Sequence, residues 1–178
     1  TATISSTGGS ITSFVLHHYK TWEQKQLDLI DGADRRGGDI NLHFVANDGK
    51  QVSTSDLPFV LDPKPITLGA GDSVAFAAVY HLDSSRAITK LFRFSGAGYL
   101  IGVEYQLTGM QEVVSGYHYT ASLDAPLPFL ERRSQDESTN AKAFAGFAGD
   151  MEELTVTKAG EATHKPINGE IKIGRAHV

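Results

Sequence analysis

The 178-residue chain contains no cysteine. This absence excludes disulfides, thiolate metal sites and a cysteine nucleophile. Basic segments are scarce too: the formal net charge is −5, and Arg35-Arg36 and Arg132-Arg133 are isolated pairs. The sequence therefore lacks the phosphate-neutralising surface that nucleic-acid binding requires, and we expect no nucleic-acid partner.

Long apolar runs and common catalytic motifs are also missing. No apolar run approaches the ~20 residues that a membrane helix needs, and no G-x-S-x-G motif offers a serine nucleophile. Gly8-Gly9 lacks the strand–loop–helix context of a phosphate loop, and Gly69–Asp72 leads into a predicted strand. These glycines are more typical of turns that need a positive φ.

The composition is that of a globular protein, with 40% hydrophobic and 21% charged residues. A chain of this length buries roughly 70% of its unfolded surface, so we predict a single domain over residues 1–171. Its opening, Thr1–Ile4, is strand-like and typical of the interior of a longer protein. Residues 172–178, KIGRAHV, match one reading frame of a widely used sequencing adapter. We hypothesise that they are a non-native tail; a genuine stop codon after Val178 would contradict this.

A period of two dominates the apolar pattern and predicts strands. Ile88, Phe92 and Phe94 share one strand face with Lys90, and a glycine-containing loop, Ser95–Gly98, follows. The next strand is predicted to cover the core with Tyr99, Ile101, Val103, Tyr105 and Leu107. Because successive strand side chains point to opposite faces, the two runs predict a β-hairpin.

Other strands are predicted at Ile40–Phe44, Val74–Tyr80, Tyr117–Leu123 and Leu154–Thr157. The second of these has apolar residues on both faces, which predicts burial on both sides. Many short strands with turn residues between them indicate an all-β sandwich of mainly antiparallel strands.

Few segments of the sequence have a pattern typical of a helix. Thr21–Ile30 suits either a short helix with Thr21 as N-cap or a strand. Leu130–Asn140 is charged, has no apolar stripe and is predicted to be a solvated loop. We therefore expect little helix in the fold.

The histidines do not form a recognisable metal motif. His17-His18 lies near the end of a predicted strand, where adjacent side chains face opposite ways and cannot easily hold one ion. His43, His81 and His118 stand singly on different predicted strands. We interpret each as an exposed or hydrogen-bonded strand residue, and we predict no metal or cofactor site.

Catalytic residues are equally hard to assign. Ser95 and Ser115 sit beside glycines in turn contexts. Glu104 lies opposite the apolar face of its strand, and a general acid or base there would need a second titratable group nearby. We predict no catalytic residue from these patterns.

Three segments, taken in order, resemble the large periplasmic domain of the YidC-type membrane protein insertases of Gram-negative bacteria. They are ATISSTGGSITSFVLHHYK at 2–20, KLFRFSGAGYLIGVEYQLTG at 90–109, and KAFAGFAGDMEEL at 142–154 with GEIK after it. The resemblance runs from residue 2 to about residue 171, and its weight comes from the order and spacing of the segments. The charged stretch Leu130–Asn140 has no counterpart in the pattern.

The resemblance implies a β-supersandwich similar in fold to galactose mutarotases. It implies an accessory, non-enzymatic domain on the periplasmic side of the inner membrane. The parent protein would insert and fold inner-membrane proteins, alone or with the Sec translocon, and would reach the membrane through helices outside this chain. The domain itself would contact partners or hold peptide in a cleft. His17-His18 would then be surface substitutions at a polar strand end.

Two alternatives stay open at the level of sequence. A mutarotase-like carbohydrate-binding or carbohydrate-processing protein would need a histidine acid and a carboxylate base, and His81, His118 and Glu104 are the candidates. A stand-alone interaction sandwich would bind through exposed strand edges. Histidine and glutamate converging in a cleft would favour the enzyme, whereas a cleft without them would favour the insertase domain.

Overall fold

The computed structural model describes residues 1–30, 38–62, 64–123, 132–133, 135–136, 142–147, 150–154 and 171–174. The chain divides into two compact units: the first comprises Thr1–Lys20 and Lys25–Pro128, and the second comprises Thr21–Gln24 and Phe129–Val178. The single domain over residues 1–171 and the non-native tail stay predictions.

Twelve strands are described, and they form four antiparallel three-stranded sheets. The strands are β1 (Ala2–Ile4), β2 (Ile11–Lys20), β3 (Gln26–Asp28), β4 (Ile40–Val45), β5 (Gln51–Ser53), β6 (Ser73–His81), β7 (Ala87–Ser95), β8 (Ile101–Thr108), β9 (Thr120–Leu123), β10 (Ala143–Phe147), β11 (Asp150–Leu154) and β12 (Ile171–Gly174). The sheet orders are β1-β2-β3, β5-β4-β9, β6-β7-β8 and β11-β10-β12. The predicted all-β class is confirmed.

The predicted hairpin is confirmed as β7–β8, with Phe94 paired to Ile101 at its closed end. Tyr99 is the exception, because it precedes β8 and is 53% exposed instead of covering the core. The ladder begins only at Ile101, so the alternation of side chains does not extend back to this residue.

The prediction that β6 is buried on both faces is wrong. Ala78 is fully buried, but Ala75 and Ala77 on the opposite face are exposed. Alanine removes little apolar surface from water, so a run of alanines does not report which face is covered.

In the first unit the core lies between sheets β5-β4-β9 and β6-β7-β8, as expected of a sandwich. Its buried members come from both sheets and from the segments that join them: Phe44, Phe59, Ala78, Ile88, Met110 and Val114. Met110 lies in a 3-10 turn, Met110–Glu112, entered through Gly109 with a φ of 64°. Met110 in this turn and Val114 just after it both belong to the core.

The remaining local predictions have mixed outcomes. In the segment Thr21–Ile30 the strand alternative is correct for Gln26–Asp28, which form β3, and the residues on either side are turns and bends. Tyr117 does not belong to β9; it ends a 3-10 turn with a φ of 58°, and the strand begins at Thr120. Strand β11 ends at Leu154, and residues 155–157 lie outside the described residues, as does most of 130–140.

In the second unit β10 pairs with β11 and with β12. Across the described parts of the chain, no helix has the length and apolar character needed to cross a membrane.

Candidate functional site: an apolar groove

The first unit contains an open groove of about 850 Å³. Its floor is one end of the inner face of sheet β6-β7-β8, where antiparallel register aligns two rows of side chains. The row Val74–Phe94–Ile101 lines the groove, and from the next row, Phe76–Phe92–Val103, Phe76 lines it while Phe92 is fully buried behind it. Alternation along each strand brings these apolar residues onto one face, so the floor follows directly from the pattern of the sequence.

Two walls flank this floor. The strand wall consists of Ala2–Ile4 on β1 and Phe14–His18 on β2. The loop wall is formed by described residues of the segment 61–68, including Leu61, Ile66 and Leu68. Since the loop wall has no regular strand, the groove is bounded by a sheet on one side and by irregular chain on the other.

The floor is aromatic as well as apolar. Phe92 is fully buried, its ring stacks on that of Phe94 with centroids 6.1 Å apart, and the ring centroid of Phe76 lies 6.5 Å from that of Phe92. Phe76 and Phe94 are only partly buried and line the groove. Aromatic rings offer a large apolar area per side chain, which suits contact with another apolar chain.

The mouth of the groove carries exposed apolar side chains. Ile66 is 53% exposed and Leu100, at the turn of the β7–β8 hairpin, is 91% exposed. Tyr99 also lines the mouth, and its ring meets that of Tyr19 edge to face with centroids 6.0 Å apart. Contiguous exposed apolar residues around a concavity are typical of a binding surface.

Charged groups contribute little to this groove. Lys64 and Asp62 form an exposed ion pair with each other at 3.4 Å. His17 and His18 line the strand wall and are exposed, and His17 Nε2 lies 2.7 Å from Thr1 Oγ1. Among the residues with described side chains, no group of three or more histidines and carboxylates could hold a metal ion.

The histidine and glutamate of the carbohydrate alternative do not converge. His81 ends β6 and lies level with Thr108, two strands away, whereas Glu104 lies four residues further along β8. Strand spacings place their Cα atoms about 16 Å apart. Glu104 forms an ion pair with Arg93 at 2.7 Å, and His118 is an exposed residue that follows a 3-10 turn. The enzyme alternative has no support from this geometry.

His43 has the hydrogen-bonded role expected of a strand histidine. Its Nε2 lies 2.6 Å from Ser122 Oγ on the neighbouring strand β9. This hydrogen bond links two strands of one sheet, and neither residue lines the groove.

One polar feature on the same face of the sheet could not be predicted from the sequence. Lys90, on the inner face of β7, is fully buried and forms an ion pair with the buried Asp39. The sequence signal was a lone lysine on an apolar strand face, and nothing local identified its partner. Burial raises the pKa of the Asp39 carboxyl, while the ammonium of Lys90 and the Ile11 N–H act in the opposite direction.

The fold and the groove together describe an all-β domain with an open apolar binding surface. The chain belongs to the family of YidC periplasmic domains, because the family model described as "YidC periplasmic domain" matches residues 1–169. The resemblance in the sequence is thereby confirmed.

Named relatives agree with this assignment. The chain is 32% identical over 174 residues to the membrane protein insertase YidC of Chlorobium limicola, covering 96% of this chain and 29% of the relative. It is 31% identical over 161 residues to the membrane protein insertase YidC of Chlorobaculum tepidum, covering 89% of this chain and 27% of the relative. The chain thus spans under a third of the length of these relatives. No solved structure matches it.

Proposed function

We propose that this chain is the periplasmic accessory domain of a membrane protein insertase, and that its groove holds apolar segments of newly made membrane proteins. The observation that carries the proposal is the apolar groove of about 850 Å³ with its aromatic floor. The role is one of binding without catalysis, at the periplasmic side of the inner membrane.

The chemistry of the groove suits such a client. A membrane-spanning segment contains ~20 predominantly apolar residues, and each exposed apolar side chain costs roughly 1.5–3 kcal/mol relative to burial. A groove in the range of several hundred Å³ accommodates a few side chains at a time. It therefore shields part of a segment and releases it readily.

The partners of the domain follow from the same proposal. Nascent membrane proteins would occupy the groove, and components of the Sec translocon would be reached through the parent protein. The names of the relatives, membrane protein insertase YidC, support the client class. The membrane would be engaged by parts of the parent protein outside this chain.

A fluorescently labelled, lysine-flanked peptide of about ten leucine and alanine residues tests the proposal. Ile66→Ser combined with Leu100→Ser removes two exposed apolar groups from the mouth, so the fold should persist. We expect the peptide to bind at least about fivefold more weakly, since each deletion removes part of an apolar contact.

The matched control is Val60→Ser combined with Leu82→Ser, which changes two apolar residues that are 67% and 41% exposed and are not groove residues. This control should bind the peptide as the unaltered chain does. Equal affinity in the groove variant and the control, or no binding by the unaltered chain, would overturn the proposal.

A further inference from the structure

We propose that Asp39 is a positioning residue that holds the strand wall of the groove in place against its floor. The inference rests on the proposed function, because it concerns the same groove. It is carried by the contacts that Asp39 makes to β2 on one side and to β7 on the other.

The first contact is to the start of the strand wall. Asp39 Oδ1 accepts a hydrogen bond from the backbone N–H of Ile11 at 3.2 Å, and Gly38 N–H donates to Ile11 C=O at 2.7 Å. Ile11 is the first residue of β2 and is 2% exposed. Residues 38–39 therefore hold both backbone groups of the residue from which the strand wall extends.

The second contact is to β7, the strand that carries Phe94 into the floor. The other carboxylate oxygen of Asp39 forms an ion pair with Lys90 Nζ, and the two side chains are 4% and 0% exposed. The ammonium group lies 5.4 Å from the ring centroid of Phe92 and 5.3 Å from that of Tyr105. Lys90 is thus fixed by the buried carboxylate of Asp39, the buried ring of Phe92 and the partly buried ring of Tyr105.

From this junction the two elements run toward the groove. On β2, Phe14 and Leu16 lie three and five residues beyond Ile11, or ~10 and ~17 Å along an extended strand. On β7, Phe94 lies four residues beyond Lys90, or ~13 Å. A shift of Ile11 relative to Lys90 would therefore change the spacing between wall and floor.

An ion pair suits this role better than an apolar contact. Two apolar side chains can slide past each other with little change in contact, whereas separating a buried pair leaves two uncompensated charges. The pair adds little net stability compared with apolar residues of similar volume. The contribution of the ion pair is instead to favour one position of β2 relative to β7.

Two double variants separate position from stability. Asp39→Asn with Lys90→Met removes both charges but keeps a side-chain oxygen that can accept from Ile11 N–H. Asp39→Leu with Lys90→Met removes both charges and also the acceptor, and it replaces the ion pair with apolar groups. We therefore expect its unfolding midpoint in urea to be at least as high as that of the Asp39→Asn double variant.

The readouts are hydrogen exchange at the Ile11 amide and affinity for the labelled apolar peptide. We expect the amide hydrogen of Ile11 to exchange about fivefold faster in the Asp39→Leu variant than in the Asp39→Asn variant, because one hydrogen bond has been lost. The Asp39→Leu variant should also bind the peptide more weakly, although it is the more stable protein. A role in stability alone would make the more stable variant the better binder.

Equal Ile11 exchange and equal peptide affinity in the two variants would overturn the assignment of Asp39. If the unaltered chain binds no peptide, the proposed function fails, and the Ile11 amide still decides whether Asp39 positions β2. The two failures are therefore distinguishable.

Discussion

The inner face of sheet β6-β7-β8 has two ends that differ in what covers them. At one end, the row Tyr80–Ile88–Leu107 packs into the core, and Ile88 is 1% exposed. At the other end, the row Val74–Phe94–Ile101 forms the groove floor and is only partly buried. The same three strands and the same alternation supply both rows.

The two ends show that the alternation of apolar side chains does not by itself determine whether a sheet face becomes core or binding surface. The core end is covered by Phe44, Met110 and Val114, which come from other elements. The groove end is flanked by β1–β2 and by the loop wall, which leave it open. Lys90 lies between the two ends, in the row Ala78–Lys90–Tyr105, where it forms its ion pair with Asp39.

The largest expected effect comes from truncating the core end. Ile88→Ala should lower the free energy of unfolding by about 2–5 kcal/mol, because it leaves a cavity in a closed core. Ile101→Ala, on the adjacent strand at the groove end, should cost roughly half as much, since its side chain already meets solvent. Urea unfolding of both variants measures the difference.

The peptide assay completes this comparison with the same two variants. Ile101→Ala should weaken peptide binding, and Ile88→Ala should leave it unchanged below its unfolding transition. Equal stability losses at Ile88 and Ile101 would show that the two ends are covered alike, contrary to the structure.

A smaller effect is expected from adding a methyl group to a glycine at the core end. A Cβ at Gly9 would lie 2.9 Å from Ala78 Cβ and 3.0 Å from a ring carbon of Phe59. Gly9→Ala should therefore lose about 1–3 kcal/mol more than Gly49→Ala through overpacking. Gly49 also has a positive φ, 85° compared with 53° for Gly9, but a Cβ added there would have no neighbouring atom within 4 Å.

The Gly49→Ala variant controls for the backbone strain that both substitutions share. Thermal unfolding of the two variants in parallel gives the difference directly. If Gly9→Ala is no less stable than Gly49→Ala, then the packing of Phe59 against this turn is looser than the structure shows.

The smallest effect belongs to the outer face of the same sheet, which is neither core nor groove. Hydrogen bonds from Gln106 and Arg93, and the charge of Arg93, hold the pKa of Glu104 below its ordinary value of 4.5. A lowered pKa in the folded state means stabilisation that is present above pH 4.5 and is lost as pH falls through the folded value.

Glu104→Gln should therefore be slightly less stable than the unaltered chain at pH 7, as expected for an exposed ion pair. The two proteins should converge in urea midpoint as the pH falls through the lowered pKa that Glu104 has in the folded chain. A gap that widens on acidification would mean that the Arg93 pair does not hold the carboxylate in its charged form.

Much of this fold was predictable because its signals are local. Alternation over two neighbouring runs predicted the β7–β8 hairpin, and it placed Lys90 on the apolar face where the structure has it. The order of the quoted segments predicted the family. The prediction that β6 is buried on both faces was wrong, because side chains as small as those of Ala75 and Ala77 do not indicate whether their face is covered.

The candidate site was less predictable. The loop wall has no period of two or of 3.6, so no pattern marked residues 61–68 as part of a surface. Asp39 has no local relation to Lys90, and only the folded chain brings the two together. The carbohydrate candidates were separate in sequence, and His81 and Glu104 remain separate in space.

By itself, the sequence determined the β7–β8 hairpin, the apolar face of that hairpin and the family, because side-chain alternation and segment order are properties of the chain. Only the tertiary structure decided which end of the inner face is closed by Phe44, Met110 and Val114 and which end is left open as a groove. The reason is physical: burial depends on which distant segments reach a surface, and loop paths and a buried ion pair set that approach.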